Sequence, residues 1–427
     1  DLRGALRRKA ACHDGSRAMS GVVEAPAFRP LSGRSLFITG LGIGQICSWG
    51  SLYYAFPLVA EAMGRDLGWS KPDLYGAATL GLILAGLASY PVGIAIDRGY
   101  GRLVMAAGSA LAGLLLLAWS QVEGRLAFTA CVAGIGILQA ATLYEPAFAV
   151  VARRSGATGA RAGITALTLW GGFASTVFIP LVQMLIDIEG WRGALMVLGG
   201  INLVLCAGLH AAVIDPAADH PVPAGAAKTG SGGVVRAVMR QPTFWALALA
   251  LTAYSGVFSA FTFHFYPLLV ERGFDTASVV AAMAIIGPAQ VAGRIAIWVL
   301  APRASVRRIG SLVVLAFPLA LLALAALPAS FALVAGVAAL YGAANGIMTI
   351  VRGLVVPEML TRSAYGAVNG VLAAPGTIAK ALAPVGAALL WAQAGSYAPV
   401  LAAQVLGALV LVLGFWGAAL LSARARP

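Results

Sequence analysis

A few ionisable side chains interrupt stretches that are otherwise apolar, and their types define the chemistry on offer. Arg294 closes Gly287-Pro288-Ala289-Gln290-Val291-Ala292-Gly293-Arg294, and Lys380 closes Ala373-Ala374-Pro375-Gly376-Thr377-Ile378-Ala379-Lys380. Glu145 lies in Leu143-Tyr144-Glu145-Pro146, and His264 sits within another apolar stretch. A charge in hydrocarbon costs about 2.5 to 3.5 kcal/mol on insertion scales, so each demands a partner or a ligand. Gln290, four residues before Arg294, shares its helical face. Two cations with few acids near them make a site for an anion. The structural alternatives are that Arg294 is satisfied by helix carbonyls or a polar neighbour and that Lys380 points into a water-filled crevice. Glu145 suits a proton carrier, or equally a fixed partner for Arg294 or Arg352. His264 is a candidate proton carrier or is simply a hydrogen-bonded cavity residue. Arg352 and Glu358 read as a brace at a membrane surface. Trp49, Tyr53 and Tyr54 stack along one run; being adjacent, Tyr53 and Tyr54 cannot both face lipid, so one lines the interior.

The elements that position these groups follow from composition. Of 427 residues, 60% are hydrophobic and 11% charged, and the mean hydropathy is +0.88. Water cannot solvate such a surface, so the chain is an integral membrane protein. Its net charge of +13 is dispersed over short loops, which argues against a nucleic-acid partner. Cys12, Cys47, Cys131 and Cys206 lie far apart, with neither a disulfide framework nor a metal site implied. Apolar runs fall near 36–62, 75–96, 103–120, 126–152, 162–186 and 193–213, then near 243–270, 277–300, 308–327, 331–356, 365–391 and 397–421. Each approximates the ~20 residues that span a bilayer as a helix.

This predicts an all-α membrane protein of twelve transmembrane helices in two six-helix bundles. Residues 1–35 form an N-terminal tail, 36–213 the first bundle, 214–242 a polar linker, 243–421 the second bundle and 422–427 a C-terminal tail. The chain begins with Asp1, and the basic stretch before Met19 leads us to expect translation from Met19, with no signal peptide needed. With the N-terminus inside, 21 of the 29 Lys and Arg residues fall in inside segments, five outside (Arg65, Lys71, Arg125, Arg192, Arg272) and three within runs. Both termini are therefore expected on the cytoplasmic side. Ala160-Arg161-Ala162-Gly163 parallels Ser363-Ala364-Tyr365-Gly366, a weak echo of one half in the other. Small pairs such as Gly40/Gly44 and Gly342/Gly346 allow close helix crossings.

The turn Gly93-Ile94-Ala95-Ile96-Asp97-Arg98-Gly99-Tyr100-Gly101-Arg102 resembles the loop between helices 2 and 3 of the major facilitator superfamily, with the second Gly one residue late. The equivalent turn of the second half, Pro302 to Arg308, keeps the basic character and lacks the Asp. The resemblance implies a major facilitator fold in which Gly93, Asp97, Arg98, Gly101 and Arg102 form a conformational latch at the membrane surface. Arg on helix 8 and Lys on helix 11 are similar to the carboxylate-binding pair of the oxalate/formate antiporter family. Tyr54-Ala55-Phe56-Pro57 resembles the Tyr-Ala-Phe-Pro of animal monocarboxylate transporters, and Gly68-Trp69-Ser70 is similar to bacterial relatives. Leu58 stands where the animal proteins have Lys, and Gln290 where they have Asp.

Absences narrow the reading. There is no Gly-Lys-Ser/Thr phosphate loop, no His-Glu-x-x-His and no segment large enough for an ATPase domain. The helix 4 Arg of proton-coupled drug exporters is Ala130, and Trp170-Gly171-Gly172 is not their helix 5 antiporter signature. The expectation is a non-enzymatic secondary transporter, without cofactor and acting as a monomer in a bacterial inner membrane. It moves a mono- or dicarboxylate by alternating access, proton-coupled or by exchange. Its substrate site comprises Arg294, Lys380, Tyr53, Tyr54 and Gln290, with Glu145 and His264 as proton carriers. The alternative is proton-coupled efflux of a hydrophobic or cationic compound, with Glu145 binding the cation. A non-transporting sensor would call for an extra domain.

Overall fold

The computed structural model describes residues 33–69, 71–219, 224–326, 328 and 330–424. The expectations for residues 1–32, including Cys12 and Met19, and for Ser70 and Arg426 lie outside the described residues.

Helix follows helix with no strand among the described residues. Among the described residues nine helices are long and apolar enough to cross a membrane, and two of these, of 47 and 60 residues, are double-length. Each contains a turn at a glycine of positive φ, Gly99 (96°) and Gly190 (70°), where a side chain would be strained. Gly156 (62°) makes the corresponding turn between two further crossings. With the first helix, twelve segments result: α1 (33–67), α2 (71–100), α3 (Gly101–Trp119), α4 (125–155), α5 (157–189), α6 (191–213), α7 (Pro242–Glu271), α8 (Thr276–Leu300), α9 (306–326), α10 (331–360), α11 (Tyr365–Ala394) and α12 (Ala398–Arg424). The connection between the halves, expected as a polar linker, holds a helix of its own, Ala224–Met239, with Val235 and Val238 buried.

The turns at the end where α1 begins and α12 finishes carry Arg98, Arg102, Arg153, Arg154, Arg303, Arg307 and Arg308; this end is the basic face. The two bundles close on each other there through α2 and α11. Gly93 lies against the Gly366 backbone and Gly370 against that of Ser89, with no room for a Cβ at either glycine. Lipid tails are as apolar as leucine, so helices associate by close packing, which small residues permit. Gly342 and Gly346 serve α8 and α10 in the same way, while Gly40 and Gly44 of α1 abut Val213 and His210 of α6.

Prolines shape the interior by removing backbone donors. Pro146 has no N–H for the Thr142 carbonyl, and the buried Gln45 donates to that carbonyl through Nε2 at 2.8 Å. The run expected as one continuous fourth helix is accordingly broken at Leu143, whose ψ is −154°. Pro384 likewise leaves the Lys380 carbonyl free, and Ser259 Oγ donates to it at 2.6 Å. In α1 the turn widens to a π-helix over Gly50–Tyr54. Pro57 has no N–H to give Leu52 in that register, and Gln139 Nε2 reaches the Leu52 carbonyl at 2.7 Å.

Candidate functional site

The break at Leu143 starts a new helix at Tyr144, which puts Glu145 in a first helical turn, where the positive end of the helix dipole favours an anion. Across the interface between the bundles, Arg352 of α10 meets it, Nη2 to Oε1 2.7 Å, with side chains 33% and 27% exposed. That exposure is to an internal space. A cavity of about 70 Å³ is lined by both residues, by Ser89, Gln139, Ser255 and Thr377, and by Lys380 facing Trp49 and Tyr53. Such a volume holds a few waters. A smaller pocket of about 20 Å³ shares Glu145, Arg352 and Ser255 and adds Asn369.

Lys380 reaches from the second bundle onto the first. Its Nζ lies 4.0 Å above the Tyr53 ring and 5.7 Å from that of Trp49. A partly desolvated ammonium over an aromatic face gains about 0.5 to 2 kcal/mol, so the rings hold the cation without neutralising it. Of the adjacent tyrosines, Tyr53 lines the cavity; Tyr54 packs 5.5 Å from it and lies within electrostatic reach of Arg294.

Arg294 takes the carbonyl option. It is 4% exposed. Nε donates to the Gly346 carbonyl at 3.3 Å, and Nη1 donates across the interface to the Thr168 carbonyl at 3.0 Å. Neither Arg294 nor Gln290 lines the cavity; the Gln290 backbone packs against Gly346. His264 is also elsewhere, with Nε2 2.9 Å from the Pro384 carbonyl and Nδ1 3.1 Å from the Tyr397 hydroxyl. A carbonyl only accepts, so Nε2 carries a proton and donates it to Pro384. Arg352, read from sequence as a surface brace, stands in the cavity wall instead. Gln45, Gln139, Ser89, Ser255 and Ser259 were missed as interior groups; the signal for Gln45 and Ser259 was a proline four residues after the carbonyl each one serves.

At the basic face Asp97 Oδ1 and Oδ2 accept from the N–H groups of Gly366 and Ala367 at 2.8 and 2.7 Å, so a carboxylate of the first bundle caps a helix of the second. The guanidinium that reaches this turn belongs to Arg153, which donates to the Asp97 carbonyl and pairs with Asp219 at 2.9 Å. Arg98 and Arg102, expected in the latch, are exposed, and Gly101 packs against Val150. The second half uses Glu358 where the sequence lacks an Asp: it accepts from Val306 N at 3.0 Å and pairs with Arg161 of the first bundle at 3.7 Å.

Two six-helix bundles closed around a central polar cavity define a membrane transporter fold. The Major Facilitator Superfamily model matches residues 41–337, and the chain belongs to that family. Human Monocarboxylate transporter 11 is 32% identical over 276 residues, covering 63% of this chain and 54% of that protein. The bovine Monocarboxylate transporter 13 is 26% identical over 275 residues, 61% of this chain and 58% of that one. The chain thus aligns with little more than half the length of these relatives. Among solved structures, the human organic anion transporter MFSD10 (TETRAN) superposes with a TM-score of 0.69 at 18% identity, over 91% of this chain and all of that one. The E. coli fucose:proton symporter FucP gives 0.67 at 13%, over 88% and 97%. At these identities the likeness is one of fold.

Proposed function

We propose that the chain is a secondary transporter, not an enzyme, that moves a small organic anion, a mono- or dicarboxylate, by alternating access. The carrying observation is Lys380 above Tyr53 at 4.0 Å, in a cavity where Arg352 supplies a second cation and Glu145 the facing acid. Two cations against one carboxylate leave the cavity positive by one, which a bound carboxylate neutralises. The monocarboxylate transporter relatives support this substrate class. Arg294 joins the site when the bundles rock: its bond to Thr168 crosses the interface and breaks on opening, freeing the guanidinium for substrate. Coupling is to protons, with Glu145 as carrier, or by exchange. By the charge asymmetry of the loops, the basic face lies on the cytoplasmic side of a bacterial inner membrane. The 36–213 and 243–421 divisions are the rocking units, in a monomer.

The test is thermal unfolding of the purified protein against a panel of mono- and dicarboxylates, with Lys380→Gln and Arg294→Gln in parallel. A ligand of the folded form raises Tm by mass action. A shift with an organic acid that Lys380→Gln abolishes supports the reading. Stabilisation only by lipophilic cations, dependent on Glu145, would favour cation efflux instead; Glu145 is already paired with Arg352, which weighs against that alternative.

A further inference from the structure

The turn between α8 and α9 keeps the arginines of its first-half counterpart and has no acid of its own. Arg303, Arg307 and Arg308 fall within six residues, Arg303 and Arg308 exposed. The side-chain carboxylates of residues 242–427 are Glu271, Asp275 and Glu358. Glu271 and Asp275 belong to the α7–α8 turn at the opposite end of the bundle. Glu358 is engaged with Val306 N and Arg161. The second bundle's basic face, which also carries Arg362 and Arg424, therefore holds more positive charge than its own carboxylates balance.

The same turn borders an open cleft lined by Leu300, Ala301, Pro302, Arg303, Ala304 and Arg308. Above it Trp298, Val299 and Leu300 are 59, 62 and 81% exposed, and Leu312 of α9 is 72% exposed. In a membrane chain such a strip faces acyl tails, and the arginines stand where the tails end and the headgroups begin. We infer that this cleft is a binding site for an anionic phospholipid, its phosphate held by Arg303 and Arg308 and its acyl chain laid on Leu300 and its neighbours. The guanidinium fork suits phosphate, and basic pockets between transmembrane helices bind anionic headgroups in this way. Because Val306 in this turn is bonded to Glu358, which grips Arg161 across the interface, lipid in the cleft would steady the closed basic face. The inference does not depend on the transported substrate.

The full chain, reconstituted in phosphatidylcholine with or without phosphatidylglycerol, is re-extracted and its retained lipid identified by native mass spectrometry. Arg303→Gln, Arg308→Gln and the triple variant with Arg307→Gln are compared with Arg236→Gln/Arg240→Gln at the C-terminal end of the linker helix and just beyond it. Wild type is expected to retain phosphatidylglycerol selectively, each Arg removed from the turn lowering its affinity about fivefold, while the linker variant matches wild type. Should the triple variant unfold, the single variants carry the comparison. Equal retention in wild type and the turn variants overturns the site, as does equal loss in the linker variant, which would mean undirected basic charge. Stabilisation of the detergent-solubilised protein by inorganic phosphate to the same degree as by phosphatidylglycerol overturns the lipid assignment.

Discussion

Arg352 of α10 and Glu145 of α4 form an ion pair that spans the two bundles, 2.7 Å from Nη2 to Oε1, within a cavity rather than in packed protein. Its partners sit on opposite bundles, so in the proposed rocking motion the pair breaks when the basic face opens. Neutralising one partner leaves the other half-buried without a counter-ion. Glu145→Gln and Arg352→Gln are each expected to lower Tm, and the double variant to recover part of the loss. A double-mutant cycle should give a coupling of about 0.5 to 3 kcal/mol; strict additivity would mean that the contact contributes nothing.

Closure at the basic face depends on the backbone contact of α2 with α11. Gly93→Ala has no room against Gly366, whereas Gly76→Ala on the same helix meets nothing within 4 Å. The first variant is expected to force the basic face open, read as faster thiol labelling of a cysteine placed beside Asp97. The second should match wild type. Asp97→Asn, which loses the charged cap on Gly366 and Ala367, should act in the same direction as Gly93→Ala. A cap is worth about 0.5 to 2 kcal/mol, so the open fraction rises by a factor of about 2 to 30.

The proline rule for the interior is testable by rescue. Ser259→Ala orphans the Lys380 carbonyl and should destabilise by about 1 to 3 kcal/mol. Adding Pro384→Ala restores an N–H in reach of that carbonyl, and Tm is expected to rise above that of Ser259→Ala alone. If the second substitution only lowers Tm further, the carbonyl is not what Ser259 serves.

Tyr53 should act through its ring. With Lys380 4.0 Å above the ring, Tyr53→Phe is expected to keep anion-induced stabilisation close to wild type. Tyr53→Leu should weaken the apparent affinity by roughly two- to thirtyfold, the range of a cation–π contact. A Phe variant as weak as the Leu variant would shift the role to the hydroxyl.

The sequence by itself determined that the chain is an all-helical membrane protein, the asymmetry of charge between the two ends and the turn at Asp97. Run length, loop composition and glycine spacing are local properties, and they survive folding unchanged. It also identified Lys380, Glu145 and Tyr53 as candidates, because charged and aromatic groups stand out against apolar runs. It did not determine who meets whom. Helices apolar all round show no preferred face, so nothing in the spacing says that Arg294 turns to the carbonyls of Gly346 and Thr168 or that Arg352 turns to Glu145. His264 belongs with Tyr397 and Pro384, and the turn at Asp97 engages Arg153 and not Arg98 or Arg102. Those choices belong to the tertiary structure, in which proline-freed carbonyls and close glycine contacts fix the rotation of each helix and so select which polar side chains share a cavity.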